Sequence, residues 1–262
     1  MVQCKAKILS QKIIDKNYFR CALDAPRIAR QATPGQFINI RINDTCEPLL
    51  RRPLSIHNAK GSRIEIFYEV LGQGTKILSQ KRQGEYLDVV GPLGNGFKLG
   101  WQIGRREIIV SGGMGVAPLV FLAERLINRK TGIPKRKILV LIGARTKSKI
   151  LCEKEFKALG CQVKITTDDG SKGFQGKVTD LLSNLLLTID YRPSTIYACG
   201  PKPMLKAIAG ISLKYNVPAQ VSLEEHMACG IGACLGCVVR TKNGYQRVCV
   251  DGPVFEASQI IW

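Results

Sequence analysis

Histidine is nearly absent: His57 and His226 are the only two among 262 residues. The sequence shows no constellation of His, Asp and Glu suited to acid–base work on a carbon substrate, and both histidines read as packed or capping residues. Acidic residues are also scarce, 20 against 39 Lys and Arg, for a net charge of +19. Such a balance is solvated surface or a match for an anionic partner, either an acidic protein or a phosphorylated cofactor. The dense basic spots, Lys135-Arg136-Lys137 and the stretch with Arg145, Lys147 and Lys149, are not interleaved with aromatics, so no nucleic-acid partner is expected. Long apolar runs are missing too. The stretch from Ile108 to Ile127 is broken by Gly112, Gly113, Gly115, Pro118, Glu124 and Arg125, and reads as strand, turn and helix, with no membrane span expected. Gln3, Lys5 and Lys7 interrupt the N-terminal segment, so no secretory leader is expected and the chain reads as cytoplasmic.

Cysteine and glycine, by contrast, are plentiful, at 10 and 26 residues. Without a secretory context, clustered cysteines point to metal or redox chemistry, not to a disulfide framework. Cys229, Cys234, Cys237 and Cys249 have the spacing C-x4-C-x2-C-x11-C, whose first three members match the plant-type [2Fe–2S] pattern. Four thiolates must converge on two irons. Gly230, Gly232 and Gly236 allow the backbone close and offer N–H groups to sulfur, while Ala228, Ala233 and Leu235 are expected to keep water out. Zinc is the rival, although only Cys234 and Cys237 make the short pair typical of structural zinc. Cys4, Cys21, Cys46, Cys152 and Cys161 read as small core or surface residues.

Three regions emerge along the chain. Residues 1–100 carry period-2 segments, such as Gln36 to Ile42 and Arg63 to Val70, which predict an antiparallel β-barrel closed by the loop Gly91-Pro92-Leu93-Gly94-Asn95-Gly96. Residues 101–215 alternate strand and helix. Strands are predicted at Ile108-Ile109-Val110, Lys137 to Gly143, Gln162 to Thr167 and Ser194 to Cys199. Helices are predicted up to about Arg129, at Ile150 to Leu159 and Lys177 to Leu187, and from about Pro203, which together imply an α/β domain with a parallel, doubly wound sheet. Residues 216–262 hold the cysteines as a small third domain. The fold class is therefore multidomain α+β.

Two further motifs suit phosphorylated cofactors. Arg52-Pro53-Leu54-Ser55 offers a guanidinium for a pyrophosphate and a Ser group for a flavin ring nitrogen. In a straight strand Arg52 and Ser55 leave opposite faces, so a shared ligand requires a bend or the Ser55 backbone. Gly72-Gln73-Gly74-Thr75 is predicted to open a helix from Thr75 to Gln80, whose free N–H groups suit a diphosphate. Ser111-Gly112-Gly113-Met114-Gly115-Val116-Ala117-Pro118 follows a strand and starts a helix, the usual nucleotide position, without the dinucleotide fingerprint G-x-G-x-x-G. Cys199-Gly200-Pro201 ends a later strand at the same predicted edge.

In combination these residues resemble the ferredoxin reductase superfamily, in which Arg-x-x-Ser binds FAD, Gly-Gly-x-Gly-x-x-Pro shapes the nicotinamide site and Cys-Gly-Pro lies near it. Within that superfamily, Ser222 to Cys237 and Val248 to Phe255 closely resemble the electron-transfer subunits of B-type dihydroorotate dehydrogenase, and the likeness runs the length of the chain. It implies FAD contacts at Arg52, Pro53, Leu54, Ser55, Phe67, Tyr68, Glu69, Gly74 and Thr75, and nicotinamide access at Gly113, Gly115 and Cys199. It implies NAD as co-substrate, an FMN-containing catalytic partner in a heterotetramer of two plus two chains, and a place in pyrimidine biosynthesis. Reductase subunits of hydrogenases or NADH–ferredoxin systems use the same cofactors and stay open here, as does a basic metal-binding module without catalysis. The terminal Trp262 reads as a core or interface aromatic.

Overall fold

A computed structural model describes residues 1–45, 47–99, 106–128, 138–187 and 193–262. Cys46, Arg129, the Lys135-Arg136-Lys137 spot and the 100–101 boundary lie outside the described residues. The chain forms two compact units: one of residues 1–96, 224–239 and 245–253, the other of residues 97–223, 240–244 and 254–262. The stretch 216–262, expected as a small domain, is thus shared between them.

The first unit is a closed antiparallel barrel of order β1-β2-β5-β4-β3-β6, built from β1 (Val2–Asp15), β2 (Tyr18–Asp24), β3 (Phe37–Arg41), β4 (Arg52–Lys60), β5 (Arg63–Glu69) and β6 (Tyr86–Leu93). Alternation sends Ile8, Cys21, Leu23, Ile38, Ile40, Ile56, Ile64, Ile66 and Val89 into a fully buried core. Two short helices, α1 (Pro26–Gln31) and α2 (Gln73–Gln80), link strands. Two expectations shift here. Gly91 to Leu93 continue β6 instead of forming a loop, because the glycine is needed beside β3, where a Cβ on Gly91 would meet Ile38 Cγ2 at 2.6 Å. The helix α2 starts at Gln73, two residues early, because Thr75 Oγ1 accepts bonds from the N–H groups of Leu71 and Gly72 and closes the first turn.

The outer face of β3 is covered as well. Asn95 N–H donates to the Gly252 carbonyl at 2.6 Å, Asn95 Nδ2 donates to the Val250 carbonyl at 2.9 Å, and a Cβ on Gly94 would strike Gly252 O and Pro253 Cδ. The cysteine-bearing limbs 224–239 and 245–253 therefore lie against the barrel wall, which buries Phe37 and Asn39 from outside.

The second unit is a seven-stranded sheet among the described residues, of order β10-β9-β8-β7-β11-β12-β15. Its strands are β7 (Arg106–Gly112), β8 (Ile138–Ala144), β9 (Gln162–Thr167), β10 (Phe174–Gln175), β11 (Pro193–Cys199), β12 (Ala219–Ser222) and β15 (Val254–Glu256). Residues of β13 (Val238–Thr241) and β14 (Gly244–Arg247), which form a separate two-stranded sheet, are divided between the two units. All neighbours in the large sheet run parallel except β12 and β15. Continuous apolar runs, Ile108 to Val110 and Ile138 to Ile142, are buried, as parallel strands with covered faces require. The helices are α3 (Leu119–Ile127), α4 (Glu153–Ala158), α5 (Val178–Leu187) and α6 (Lys202–Tyr215). The helix predicted from Ile150 begins only at Glu153, since Ile150 is extended and Cys152 has a left-handed φ of 59°. Among the described residues no helix is long and apolar enough to cross a membrane.

Candidate cluster, flavin and nucleotide sites

The four motif cysteines meet in the first unit. Burial of Cys237 and Cys249 contrasts with the exposed Cys234 and half-buried Cys229. Their thiols contact in two pairs, Cys229 with Cys234 and Cys237 with Cys249. Among the described residues no three of these thiols gather within 4.8 Å of one another. A single tetrahedral zinc, with Zn–S bonds near 2.3 Å, needs all four sulfurs about that close, whereas two irons need two pairs. The donor set thus fits a [2Fe–2S] group better than zinc.

Backbone N–H groups are aimed at the sulfurs. Cys229 Sγ accepts from Ile231 N at 3.5 Å and Cys234 N at 3.4 Å, Cys234 Sγ from Gly236 N at 3.5 Å, and Cys237 Sγ from Cys249 N at 3.4 Å. Burial pushes the Cys229 thiol up, but these donors outweigh it and bring the thiol down to about 6. Cys249 goes the other way, to about 12, because burial and the adjacent Cys237 thiol both disfavour its charge. The Cys229 thiolate is therefore favoured near neutral pH, whereas metal charge must draw the proton off Cys249.

Glycine shapes this loop at two positions. Gly230 has φ +71° and a Cβ there would lie 2.6 Å from Asn39 Nδ2; Gly232 has φ +85° and a Cβ there would lie 2.8 Å from Val250 Cγ2. Gly236 needs no such freedom, since an added Cβ would sit at an ordinary 3.5 Å from Cys234 Sγ. Ala228, Ala233 and Leu235, expected to keep water out, are themselves exposed, Leu235 at 59%. The loop is braced by residues that the motif did not reveal. Arg247 pairs with Asp251 (Nε–Oδ2 3.1 Å) and donates from Nη1 to the Gly232 carbonyl at 3.4 Å, and Asn39 Nδ2 donates to the Cys229 carbonyl at 3.1 Å. The i, i+4 Arg247/Asp251 spacing around Cys249 was a readable signal, whereas nothing local marked Asn39.

On the barrel, Arg52 lies against Gly74, where an added Cβ would fall 2.5 Å from Arg52 Nε. Bare Cα and guanidinium together leave a cationic cradle suited to a diphosphate. Arg52 Nη1 also donates to the Leu50 carbonyl at 2.6 Å, while its neighbour Arg51 pairs with Asp88 Oδ2 at 2.7 Å. The β3–β4 ladder runs without a register shift across Arg52 to Ser55, so the two side chains leave opposite faces and a shared ligand meets Ser55 through its main chain. Pro53 and Leu54 lie half-buried between them. Phe67 and Tyr68 are each 2% exposed; Phe67 packs on His57 with centroids 5.5 Å apart and Tyr68 Oη accepts from Gln11 Nε2. A ligand at residues 67–69 therefore has their main chain and Glu69 to contact. The Thr75 hydroxyl is taken up by its own helix cap.

In the second unit Cys199 of β11 stands opposite Ser111 of β7 at the carboxyl ends of the two strands. Gly115 packs on the end of β11 so closely that a Cβ would lie 2.2 Å from the Cys199 carbonyl oxygen, while Gly113 turns with φ +55° into open space. Cβ atoms on Gly112 or Gly200 would strike Met204, at 2.8 Å from its Sδ and 2.5 Å from its Cε. The two glycine turns thus form one close-packed feature at the sheet edge, the position at which parallel α/β sheets bind nucleotides. Cys199 itself is 1% exposed.

Other expectations resolve simply. His57 is packed, but His226 is exposed. Trp262 folds back on its own segment, Nε1 donating to the Ala257 carbonyl at 3.4 Å. Cys21 and Cys161 are buried, with thiols pushed by burial up to about 12 and about 11, and Cys4 and Cys152 are half-buried. Among the described cysteines none forms a disulfide.

Residues 224–261 match the iron-sulfur cluster binding domain of dihydroorotate dehydrogenase B, and residues 109–210 match the oxidoreductase NAD-binding domain. The chain is 42% identical to the dihydroorotate dehydrogenase B (NAD(+)) electron transfer subunit of Desulforamulus reducens, across 98% of this chain and 97% of the relative. It is 40% identical to that of Bacillus caldolyticus, across 97% and 96%. Among solved structures, that of an NADH-dependent reduced ferredoxin-NADP oxidoreductase superposes with a TM-score of 0.84 at 31% identity, covering 99% of this chain and 90% of that one. A Neisseria gonorrhoeae ferredoxin NADP+ reductase shares the fold, at a TM-score of 0.64 and 17% identity, with coverage of 81% and 91%. The higher identity goes with the dihydroorotate dehydrogenase name and not with the ferredoxin systems. The chain belongs to the family of dihydroorotate dehydrogenase B electron transfer subunits.

Proposed function

We propose that this chain passes electrons from the FMN of a dihydroorotate-oxidising partner through a [2Fe–2S] cluster and FAD to NAD, as a step in pyrimidine biosynthesis. The observation that carries the reading is the pairwise meeting of Cys229, Cys234, Cys237 and Cys249 under converging N–H groups, in a chain of this family. When bound, the flavin supplies the conversion between the electron pair of a nicotinamide and the single electrons of a cluster. The chain's own residues bind and orient. Arg52, which lies against Gly74, would neutralise a flavin diphosphate, and Pro53, Leu54, Ser55, Phe67, Tyr68, Glu69 and Thr75 would complete the cradle, largely through backbone. Gly113, Gly115 and Cys199 shape the nicotinamide approach. N–H groups on the thiolates offset their charge.

The partner is an FMN-containing catalytic subunit, and the assembly a heterotetramer of two plus two chains. A cytoplasmic location belongs to the same reading. Reconstitution tests the whole. The purified subunit carries flavin and cluster absorbance and oxidises NADH with artificial acceptors, yet reduces NAD with dihydroorotate only when the partner is added. Dihydroorotate:NAD activity from the lone subunit would overturn this division of labour.

A further inference from the structure

Asn39 is an unexpected residue for its position. Its neighbours Ile38 and Ile40 point into the barrel core, so alternation sends Asn39 to the outer face of β3, where it is nonetheless only 1% exposed. What covers it is the cluster loop: Nδ2 donates to the carbonyl of Cys229 at 3.1 Å, and Gly230 comes so near that a Cβ there would lie 2.6 Å from that nitrogen. On its other side, the main chain of Asn39 pairs with Pro53, in the middle of the Arg52–Ser55 segment. One residue therefore touches both the strand that carries the flavin motif and the peptide that carries the first cluster cysteine.

Packing alone does not account for an asparagine here. Its Oδ1 is buried with no hydrogen-bond partner among the described residues. An unpaired buried acceptor is costly, and an apolar side chain of equal size would fill the same space without that loss. What only the amide provides is the bond to the Cys229 carbonyl. That bond fixes the plane of the peptide between Cys229 and Gly230, and with it the position of the Cys229 sulfur relative to the flavin-motif strand.

We propose that Asn39 is a positioning residue for electron transfer between flavin and cluster, holding the Cys229 peptide against the strand that binds the flavin. The proposal rests on the cofactor reading above and adds a residue and a distance-setting contact to it. Electron transfer weakens steeply with separation, and residues that hold a metal ligand from behind change affinity or activity about 10- to 100-fold when altered.

The test uses the holo subunit under anaerobic conditions. NADH supplies an electron pair to the flavin, from which the cluster accepts one electron. Stopped-flow absorbance follows flavin and cluster reduction, and electron paramagnetic resonance records the reduced cluster. In Asn39→Leu, the cluster signal should shift in its g-values, and cluster reduction should lag flavin reduction by about 10-fold more than in the unaltered protein. Gly230→Ala presses on the same contact from the loop side and should change both readouts in the same direction. An unaltered spectrum and lag in Asn39→Leu overturn the proposal. If that variant does not fold or hold a cluster, the same two readouts in Gly230→Ala decide it, with wild-type values overturning it. Failure of the underlying cofactor reading looks different, since the unaltered protein would then show no flavin or cluster spectrum at all.

Discussion

The cluster loop and the nucleotide edge solve the same problem, placing backbone against a ligand, by opposite means. At the nucleotide edge, parallel strands buried on both faces fix β7 and β11, and Gly115 is pressed onto the Cys199 carbonyl with no room for a methyl group. Packing does the positioning there, and no charge is needed. The cluster loop has no regular structure between Glu224 and Cys237 and exposes Ile231, Cys234 and Leu235. Its shape comes from polar tethers: the Arg247–Asp251 pair, the Asn39 amide and N–H groups on sulfur. A packed edge tolerates ligand loss, whereas a tethered loop depends on its ligands and charges.

Substitutions at the two sites should separate these modes. The largest effect is expected for Cys234→Ser. Removing one thiolate from a pair should abolish the cluster's visible spectrum, acid-labile sulfide and all coupled dihydroorotate:NAD activity, while FAD and NADH:dye activity persist. Wild-type iron content in that variant would remove the tethered half of the comparison. Next comes Gly115→Leu. Its φ suits any residue, so the obstacle is purely the 2.2 Å approach to Cys199 O, and relief requires moving backbone. Overpacking of this kind costs about 1–3 kcal/mol, and misplacement near a reacting centre about 100-fold in rate. NADH:dye activity should fall by about that factor with flavin and cluster spectra intact.

Arg52→Ala tests the cationic cradle. One charge-assisted contact is worth about 1.5–3 kcal/mol, so FAD affinity should drop about 10- to 100-fold by equilibrium dialysis, with cluster content unchanged. Unchanged FAD affinity would mean that the Arg52–Gly74 contact serves only the barrel.

How much of this was legible beforehand divides along the same line. Cysteine spacing and glycine turns are local signals, and they marked both edges. Period-2 and strand–helix alternation marked the barrel and the sheet. What escaped depends on partners distant in sequence. Asn39 meets Cys229 across 190 positions, and a lone Asn in a strand has no neighbour to betray it. β12 and β15 join the large sheet from within the stretch that appeared to be all cluster domain. The burial of Phe67 and Tyr68, which turns their side chains away from a ligand, and the left-handed Cys152, which delays α4, follow from tertiary packing that no local pattern encodes.

The smallest effect concerns Asp88, which pins the barrel beside the flavin motif. Its carboxylate accepts from Arg51 Nη2 at 2.7 Å and from Gln3 Nε2 at 3.0 Å. Burial raises its pKa, but Arg51, Gln3 and Arg41 outweigh this and hold the carboxyl below its usual value. A carboxyl depressed in the folded state contributes stability that is present above its unfolded pKa of about 3.9 and is lost as pH falls through the lower folded value. Asp88→Asn should therefore lower stability by about 1 kcal/mol in urea unfolding at pH 7, and the difference from the unaltered protein should shrink steadily below about pH 4. Leu122→Ala, in the packed core of the second unit, should cost about 2–5 kcal/mol by the same urea titration, with no pH dependence of that loss. The difference between variant and parent at each pH is the quantity to follow. An Asp88→Asn deficit that stays constant from pH 7 to pH 3 would show that the Arg51 tether works through shape and not charge, and would break the contrast on the barrel side.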